Sequence, residues 1–277
     1  MQNKLTIITP VHNDYKTIEA SLSSTAWADE LLIIDDQSDK DFIDICRKYT
    51  STIYSRKLDT FTSQWDYAIS KVRNKWVLII ASDEIVTEAL AKEIKKAIQS
   101  NEIAGYHIYR KDFMFGKWIR YGGFYHSHLR LFQKDQCSWN KRLVHEALET
   151  KGRVKKLKNH VLHFSYKKIN ETILKYNRYA DMEAQEKIND HEAKNTMPSS
   201  FSLFFKMFYY GTKESIGLLI LKRGYKDGLY GFIMCFIKGF YYFLIYSKVY
   251  EWAYKKKNKK KIMKELKKYN LPENLYF

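Results

Sequence analysis

The chain has 277 residues, of which 45% are hydrophobic and 16% aromatic. That is enough material for a packed core, and it excludes both an intrinsically disordered chain and a small scaffold that depends on staples. Lys and Arg number 48 against 31 Asp and Glu, a net charge of +17, which suits a polyanionic partner such as nucleic acid, anionic lipid or a phosphorylated sugar. Cys46, Cys137 and Cys235 are scattered, with no C-x-x-C pair. Neither a disulfide framework nor a structural zinc site is therefore expected, and a reducing compartment is. The first ten residues lack the pattern of a secretory signal, so a cytosolic start is expected, while Glu273 to Phe277 resembles the remnant of a cleavable expression tag.

In chain order, Leu5 to Thr9 is a β-rich run closed by Pro10 and the turn residues Asn13 and Asp14. Ile18 and Leu22 then recur at helical spacing. Leu31 to Ile34 is continuously apolar and ends in Asp35 and Asp36, with Phe42, Ile45 and Tyr49 following on one helical face. Thr52 to Tyr54, a helix carrying Trp65, Ile69 and Val72, and the apolar strand Trp76 to Ile80 continue the alternation to Ser82, Asp83 and Glu84, and a helix from Thr87 to Gln99 follows. Continuous apolar strands separated by amphipathic helices predict an α/β fold, a mostly parallel sheet flanked by helices, with ligands gathered at the carboxyl ends of the strands. Thr9, Pro10, His12, Asp35, Asp36, Asp83 and Glu84 all fall at those ends. Asp35 or Asp36 taken singly reads equally well as a helix N-cap. No glycine-rich phosphate loop is present, so phosphate recognition requires a metal or basic side chains.

Farther on, Trp118, Arg120 and Tyr121 open an aromatic, basic stretch around Gly122 and Gly123, whose rings suit sugar faces and whose Arg suits phosphate. A long helix is predicted from about Lys168 to Asp190. From Phe201 onward there are 16 Lys or Arg against 5 Asp or Glu, interleaved with Phe, Tyr and Trp. Lys238 splits the apolar stretch between Asp227 and Lys248 into runs of 10 and 9 residues, each shorter than the roughly 18 that mark a membrane span. Re-entrant or interfacial helices on an anionic membrane surface are the expectation; packing on the main domain or on a second copy is the alternative. No nucleic-acid partner is expected, because no helix-turn-helix, zinc or RNA-recognition signature accompanies the charge. The expected organisation is a catalytic domain over 1–166, a connecting helix and linker over 167–200, a basic aromatic helical segment over 201–272 and the tag remnant over 273–277.

Three ordered blocks, Thr-Pro-Val-His-Asn-Asp (9–14), Trp-Ala-Asp-Glu-Leu-Leu-Ile-Ile-Asp-Asp-Gln-Ser-Asp (27–39) and Trp-Val-Leu-Ile-Ile-Ala-Ser-Asp-Glu (76–84), resemble glycosyltransferase family 2, with its GT-A fold. Arg130-Leu131-Phe132, Arg142-Leu143-Val144-His145-Glu146 and Leu162-His163-Phe164-Ser165-Tyr166 resemble its bacterial lipopolysaccharide inner-core β-glucosyltransferase branch. The resemblance implies a UDP-sugar donor, a divalent cation (Mn²⁺ or Mg²⁺) on its diphosphate, inversion at the anomeric carbon, and a lipid-linked glycan acceptor at the cytoplasmic face of the inner membrane.

Carried over residue by residue, Thr9, Pro10, Asp35, Asp36, Gln64, Ser82 and Asp83 would border the donor, with Asp36 preferred over Asp35 for the base. Asp83 and His163 would hold the metal, and Glu146 would be the base. Trp118, Arg120, Tyr121, Arg130, Arg142 and His145 would face the acceptor. For Glu146 an ion pair with Arg142 or Arg130 is the competing reading, and for His163 a satisfied core position. The sequence departs from the family at Ala81, where the first acid of the metal motif usually stands. Mg²⁺ needs only one or two protein carboxylates besides phosphates and waters, so Asp83 is expected to suffice with help from Glu84 or His163. Two other readings follow: a transferase acting on a polyprenyl-linked or capsular intermediate, and a noncatalytic GT-A-like membrane scaffold.

Overall fold

The computed structural model of the protein describes residues 2–140, 147–272 and 274. Arg142, His145 and Glu146 lie outside the described residues. The chain divides into two compact units, Met1–Ile169 and Asn170–Phe277.

The first unit begins with β1 (Leu5–Val11), α1 (Ile18–Ser23), β2 (Glu30–Asp35), α2 (Lys40–Arg47), β3 (Ile53–Ser55), α3 (Phe61–Lys71) and β4 (Trp76–Ile79). β3, β2, β1 and β4 are neighbours in that order and all parallel. Their side chains alternate between two cores. Ile8, Leu32 and Ile34 pack with Trp65 and Ala68 of α3, whereas Val11 and Ile33 pack with Ile18 and Leu22 of α1 and Phe42 of α2. Burial on both faces is why these strands read as unbroken apolar runs. α2 and α3 start at side-chain caps: Asp39 accepts from the Phe42 amide and Thr60 from the Ser63 amide.

The chain then runs through β5 (Glu84–Val86), α4 (Glu88–Ala97), β6 (Gly105–Met114), β7 (Lys117–Ile119), β8 (His126–Gln133), β9 (Cys137–Trp139), β10 (Leu148–Thr150) and β11 (Val154–Tyr166). β8 joins the parallel half antiparallel to β4, β6 follows antiparallel to β8, β11 runs parallel to β6, and β5 closes the edge antiparallel to β11. The sheet is therefore mixed, with a parallel half and an antiparallel extension in which β7 folds back on β6. β9 and β10 form a separate two-stranded ladder.

The second unit holds the rest of α5 (Ile169–Ala193), then α6 (Ser200–Ile216) and α7 (Leu229–Lys268). Where the sequence shows two uncharged runs each too short for a span, α7 is continuous over 40 residues, long and apolar enough to cross a membrane. Lys238, a good helix former, does not interrupt it, and its ammonium lies 4.9 Å from the Tyr176 ring centroid and 6.0 Å from that of Tyr241. α6 and α7 pair antiparallel at a crossing of small residues. A Cβ added at Gly239 would come within 1.8 Å of Ser215 Oγ and 2.5 Å of the Gly211 carbonyl oxygen, so the backbones meet more closely than any larger residue permits. The connection between them turns at Arg223 and Gly228, both at positive φ.

Candidate active site

The carboxyl ends of β1, β2 and β4 form one edge of the sheet, with Thr9 opposite Ile33 and Ile8 opposite Ile79. Of the residues expected to border a donor there, several are consumed internally. Thr9 is 0% exposed and its hydroxyl has no hydrogen-bond partner, so it cannot meet a ligand in this conformation. Asp35 is buried and caps nothing helical; it accepts from the Ser38 amide at 2.9 Å and from the Ser55 hydroxyl at 3.1 Å, which fixes the turn beyond β2. Gln64 is buried, its carbonyl accepting from Arg56 Nη1 at 2.7 Å. Ser82 is buried with its hydroxyl on the Asp14 carboxylate. All four are buried at this edge. Pro10 and Asp36 remain half-buried at the rim. One Asp36 oxygen accepts from the Leu58 amide at 2.7 Å, and His12 Nδ1 lies 2.7 Å from the Asp36 carbonyl oxygen.

Asp83 stands in a tight turn between β4 and β5. The Glu84 amide donates to the Ala81 carbonyl at 3.0 Å, the Ala81 amide donates back to the Glu84 carboxylate at 3.0 Å, and the Ser21 hydroxyl donates to the Ala81 carbonyl at 3.1 Å. Strand register then assembles a buried polar cluster beside this turn. His163 on β11 is opposite Glu84 on β5 and opposite Asp112 on β6. Its Nδ1 lies 2.5 Å from Asp112 Oδ1 and its Nε2 lies 3.3 Å from Asp83 Oδ2. Arg110 Nε is 3.0 Å from Asp112 Oδ1, and Arg130 Nη1 is 2.6 Å from Glu84 Oε2.

The charges in the cluster set one another. Burial opposes ionisation of Glu84, but Arg130, His163 and Arg110 outweigh it and hold the carboxyl below its ordinary range. Burial likewise opposes ionisation of Asp112, yet the His163 hydrogen bond and Arg110 keep it low. His163 is raised above the ordinary histidine value: desolvation works against the imidazolium, but Asp83 and Asp112 prevail. With Nδ1 committed to Asp112, its second ring nitrogen points at Asp83, the one carboxylate of the cluster that keeps some exposure, at 17%.

Two expectations change here. Glu84 gives its carboxylate to Arg130, so it is not available beside Asp83. Arg130, expected to face the acceptor, is spent on Glu84 and only 11% exposed. Asp112 and Arg110 were missed by the sequence reading. Their signal was three consecutive charges, Arg110, Lys111 and Asp112, inside an otherwise strand-like run, at positions that acquire meaning only once β6 pairs with β11.

Trp118 on β7 lies opposite Phe113 of β6. Lys111 Nζ sits 4.3 Å and Arg120 Cζ 4.5 Å from its ring centroid, with Tyr125 edge-on at 5.4 Å. Tyr121 precedes a turn in which Gly122 and Gly123 take φ of 65° and 77°, a left-handed backbone that favours glycine.

Among the described residues no group of three or more His, Cys, Asp or Glu is placed to hold a metal ion. What is present is a pair, the Asp83 carboxylate and His163 Nε2. With the ring neutral at Nε2, that donor set would fit a cation that takes its remaining ligands from phosphate oxygens and water, its binding displacing the proton that Asp83 and Asp112 favour.

A curated relative, an uncharacterized glycosyltransferase of Rickettsia conorii, is 23% identical over 229 residues, covering 78% of each chain. Among solved structures, residues 1–349 of TarS from S. aureus in complex with UDP-GlcNAc match with a TM-score of 0.48 at 13% identity, covering 92% of both chains. Glucosyl-3-phosphoglycerate synthase from Mycobacterium tuberculosis in complex with Mg²⁺ and uridine-diphosphate matches with a TM-score of 0.33 at 18% identity, over 41% of this chain and 44% of the other. The family model for glycosyl transferase family 2 matches residues 6–165, from β1 to the end of β11, and the chain belongs to that family.

Proposed function

We propose that this chain is an inverting hexosyltransferase that moves a sugar, glucose or another hexose, from a UDP-sugar to a lipid-linked glycan such as a lipopolysaccharide inner core, at the cytoplasmic face of the inner membrane. Family membership supports the nucleotide-sugar donor. The observation that carries the site assignment is the rim position of Asp83, with His163 Nε2 turned toward it and the rest of the acid cluster neutralised behind it.

In this reading Asp83 and His163 hold Mn²⁺ or Mg²⁺, whose chemistry when bound is to neutralise charge gathering on the departing diphosphate. Asp112 fixes the imidazole so that Nε2 faces the cation. Asp36 and Pro10 border the nucleoside. Trp118, with Arg120 and Tyr121, offers an aromatic face and positive charge to the acceptor. Glu146, Arg142 and His145 belong to the acceptor side in the same reading. The Glu146 carboxylate takes the acceptor hydroxyl proton as that oxygen bonds to the anomeric carbon from the face opposite the diphosphate; the carbon–oxygen bond to the diphosphate breaks and its electron pair leaves on the phosphate oxygen.

The test is transfer to extracted lipid-linked glycans across a panel of nucleotide sugars with Mn²⁺, where turnover identifies the donor. Comparing heptose-containing with polyprenyl-linked acceptors separates the core reading from the polyprenyl or capsular one. Glu146→Gln is expected to remove turnover while sparing UDP binding, and retained turnover sinks the base assignment. Ala81 and the two-ligand metal pair favour one competing reading, a noncatalytic membrane scaffold. A chain whose melting temperature ignores Mn²⁺ and UDP together would support the scaffold over the enzyme.

A further inference from the structure

The helical unit buries Tyr176 and Tyr241 but leaves a row of phenylalanines exposed. On α6, Phe201, Phe204, Phe205 and Phe208 recur at helical spacing, and each is more than half exposed, Phe201 at 73%. On α7, Leu229 at 70% and Phe232, Phe236 and Phe240 at 46–48% are exposed along one side. The two rows are joined: Phe204 contacts Phe208 at 5.0 Å, Phe208 contacts Phe243 at 5.6 Å, and Phe243 stacks on Phe240 at 5.9 Å between centroids. One contiguous aromatic face thus crosses both helices, of a kind that soluble monomers rarely leave to water. The turn between the helices adds Leu221, 81% exposed, beside Lys222, Arg223 and Lys226.

Charge decides how such a face meets lipid. α6 has 17 residues and runs on without a break into the π-helical turn Gly217–Leu221, so the arm approaches the roughly 30 Å hydrocarbon core and its charges, not its length, oppose crossing. Lys213 lies on the last turn of α6, Lys222, Arg223 and Lys226 on the connection, and Lys238 a few turns into α7. Tip-first insertion would carry Lys222, Arg223 and Lys226 through the hydrocarbon and leave Lys213 and Lys238 within it, at several kcal/mol for each cation held there. Lying flat, the hairpin places its phenylalanines among the acyl chains, while these cations and the lysines from Lys255 to Lys268 stay at headgroup level, where Lys and Arg are attracted to anionic lipid.

We infer that the joined Phe face of α6 and α7 docks flat on an anionic bilayer surface, in one leaflet, without α7 spanning it. The inference rests on the membrane partner in the reading above and specifies the face and orientation. Its failure is separable from that of the transferase assignment, because the experiment reads binding and depth, not turnover.

The experiment uses the full chain with vesicles of phosphatidylcholine alone or with phosphatidylglycerol. Flotation is expected with the anionic vesicles and much less with the neutral ones. Phe204→Asp combined with Phe208→Asp is expected to lower partitioning about tenfold or more, while circular dichroism keeps the helix content. Lys222→Glu combined with Arg223→Glu should remove much of the preference for anionic lipid while leaving the salt-independent part. A nitroxide on Phe201→Cys, Phe208→Cys or Phe240→Cys should report one shallow depth by its relative accessibility to oxygen and to a nickel chelate. Depths graded steadily from Phe201 toward the turn would show insertion and overturn the flat orientation. Unchanged flotation of the Phe204→Asp, Phe208→Asp variant would overturn the face. So would a wild-type chain that ignores vesicles but self-associates through the same phenylalanines, which would make the occupant a second copy.

Discussion

In the α/β unit Glu84, Asp112 and His163 are buried and each is met by an opposite charge, whereas in the helical unit a chain of phenylalanines stands in the open. The two units invert the ordinary placement of polar and apolar groups in opposite ways. Charges inside a sheet persist only where pairing repays desolvation, so the first inversion marks a place where geometry is held tightly. Aromatics outside persist only where something other than water covers them, so the second marks a surface. In the proposed reading chemistry belongs to the first unit and attachment to the second, and each of the following changes breaks one side of that contrast and leaves the other intact.

The largest effect is expected from Glu84→Gln. Removing the carboxylate leaves the Arg130 guanidinium buried with a weaker partner, a loss on the order of 3–5 kcal/mol. Glu84 is held below its ordinary value near 4.5, so its contribution is present above that pH and is lost as pH falls through the lower folded value. Urea titrations of wild type and variant should therefore differ at neutral pH and converge in acid. Equal stability at neutral pH would show that the ion pair is dispensable.

Asp83→Asn should cost less in stability and more in function, because this side chain sits at the rim. Loss of the carboxylate is expected to reduce transfer by about 10²–10³-fold, the scale of removing one preorganised electrostatic contact. It should also abolish any Mn²⁺-dependent rise in the melting temperature while the far-ultraviolet circular dichroism stays that of the wild type.

On the other side of the contrast, Gly239→Ala tests the helix crossing. Its methyl group would collide with Ser215 and the Gly211 carbonyl, so α6 and α7 must separate, at about 1–3 kcal/mol. Hydrogen exchange should accelerate within Asn170–Phe277 and stay unchanged across β1 to β4. Acceleration in both places would mean that the two units do not open separately.

These variants also show what the sequence made readable. The parallel half of the sheet was legible because strands covered on both faces have no choice but to be apolar, and Asp83 because it ends such a strand. Asp112 was not. A charged residue within Tyr109-Arg110-Lys111-Asp112 has no distinguishing local pattern, and its partner is 51 positions away across a parallel pairing that no local rule specifies. The inward commitment of Arg130 and Gln64 was hidden for the same reason, since a motif gives a residue's place along the chain and not the direction of its side chain. In the helical unit Lys238 misled: read as a break in an apolar run, it keeps its ammonium over tyrosine rings and leaves α7 unbroken.

The smallest effect, and the one that most sharpens the account of the polar cluster, is expected from Asp112→Asn. The substitution preserves size and can still accept from His163 Nδ1, but it removes the charge that, with Asp83, favours the imidazolium and that compensates Arg110. If the cluster serves only to hold β6 against β11, the variant should lose stability and nothing else. If it orients His163 for a cation shared with Asp83, Mn²⁺ affinity should fall about 10–100-fold, the usual cost of losing an outer-shell partner. Mn²⁺ binding followed by electron paramagnetic resonance reads that affinity without turnover. The histidine ring should report the same change independently: with one anion gone its folded pKa is expected to move down toward the ordinary 6.5, visible in the pH dependence of its ring-proton shifts. A variant that binds Mn²⁺ like the wild type while its His163 titration has moved would separate the two roles, leaving Asp112 a determinant of charge in the sheet and not of the metal site.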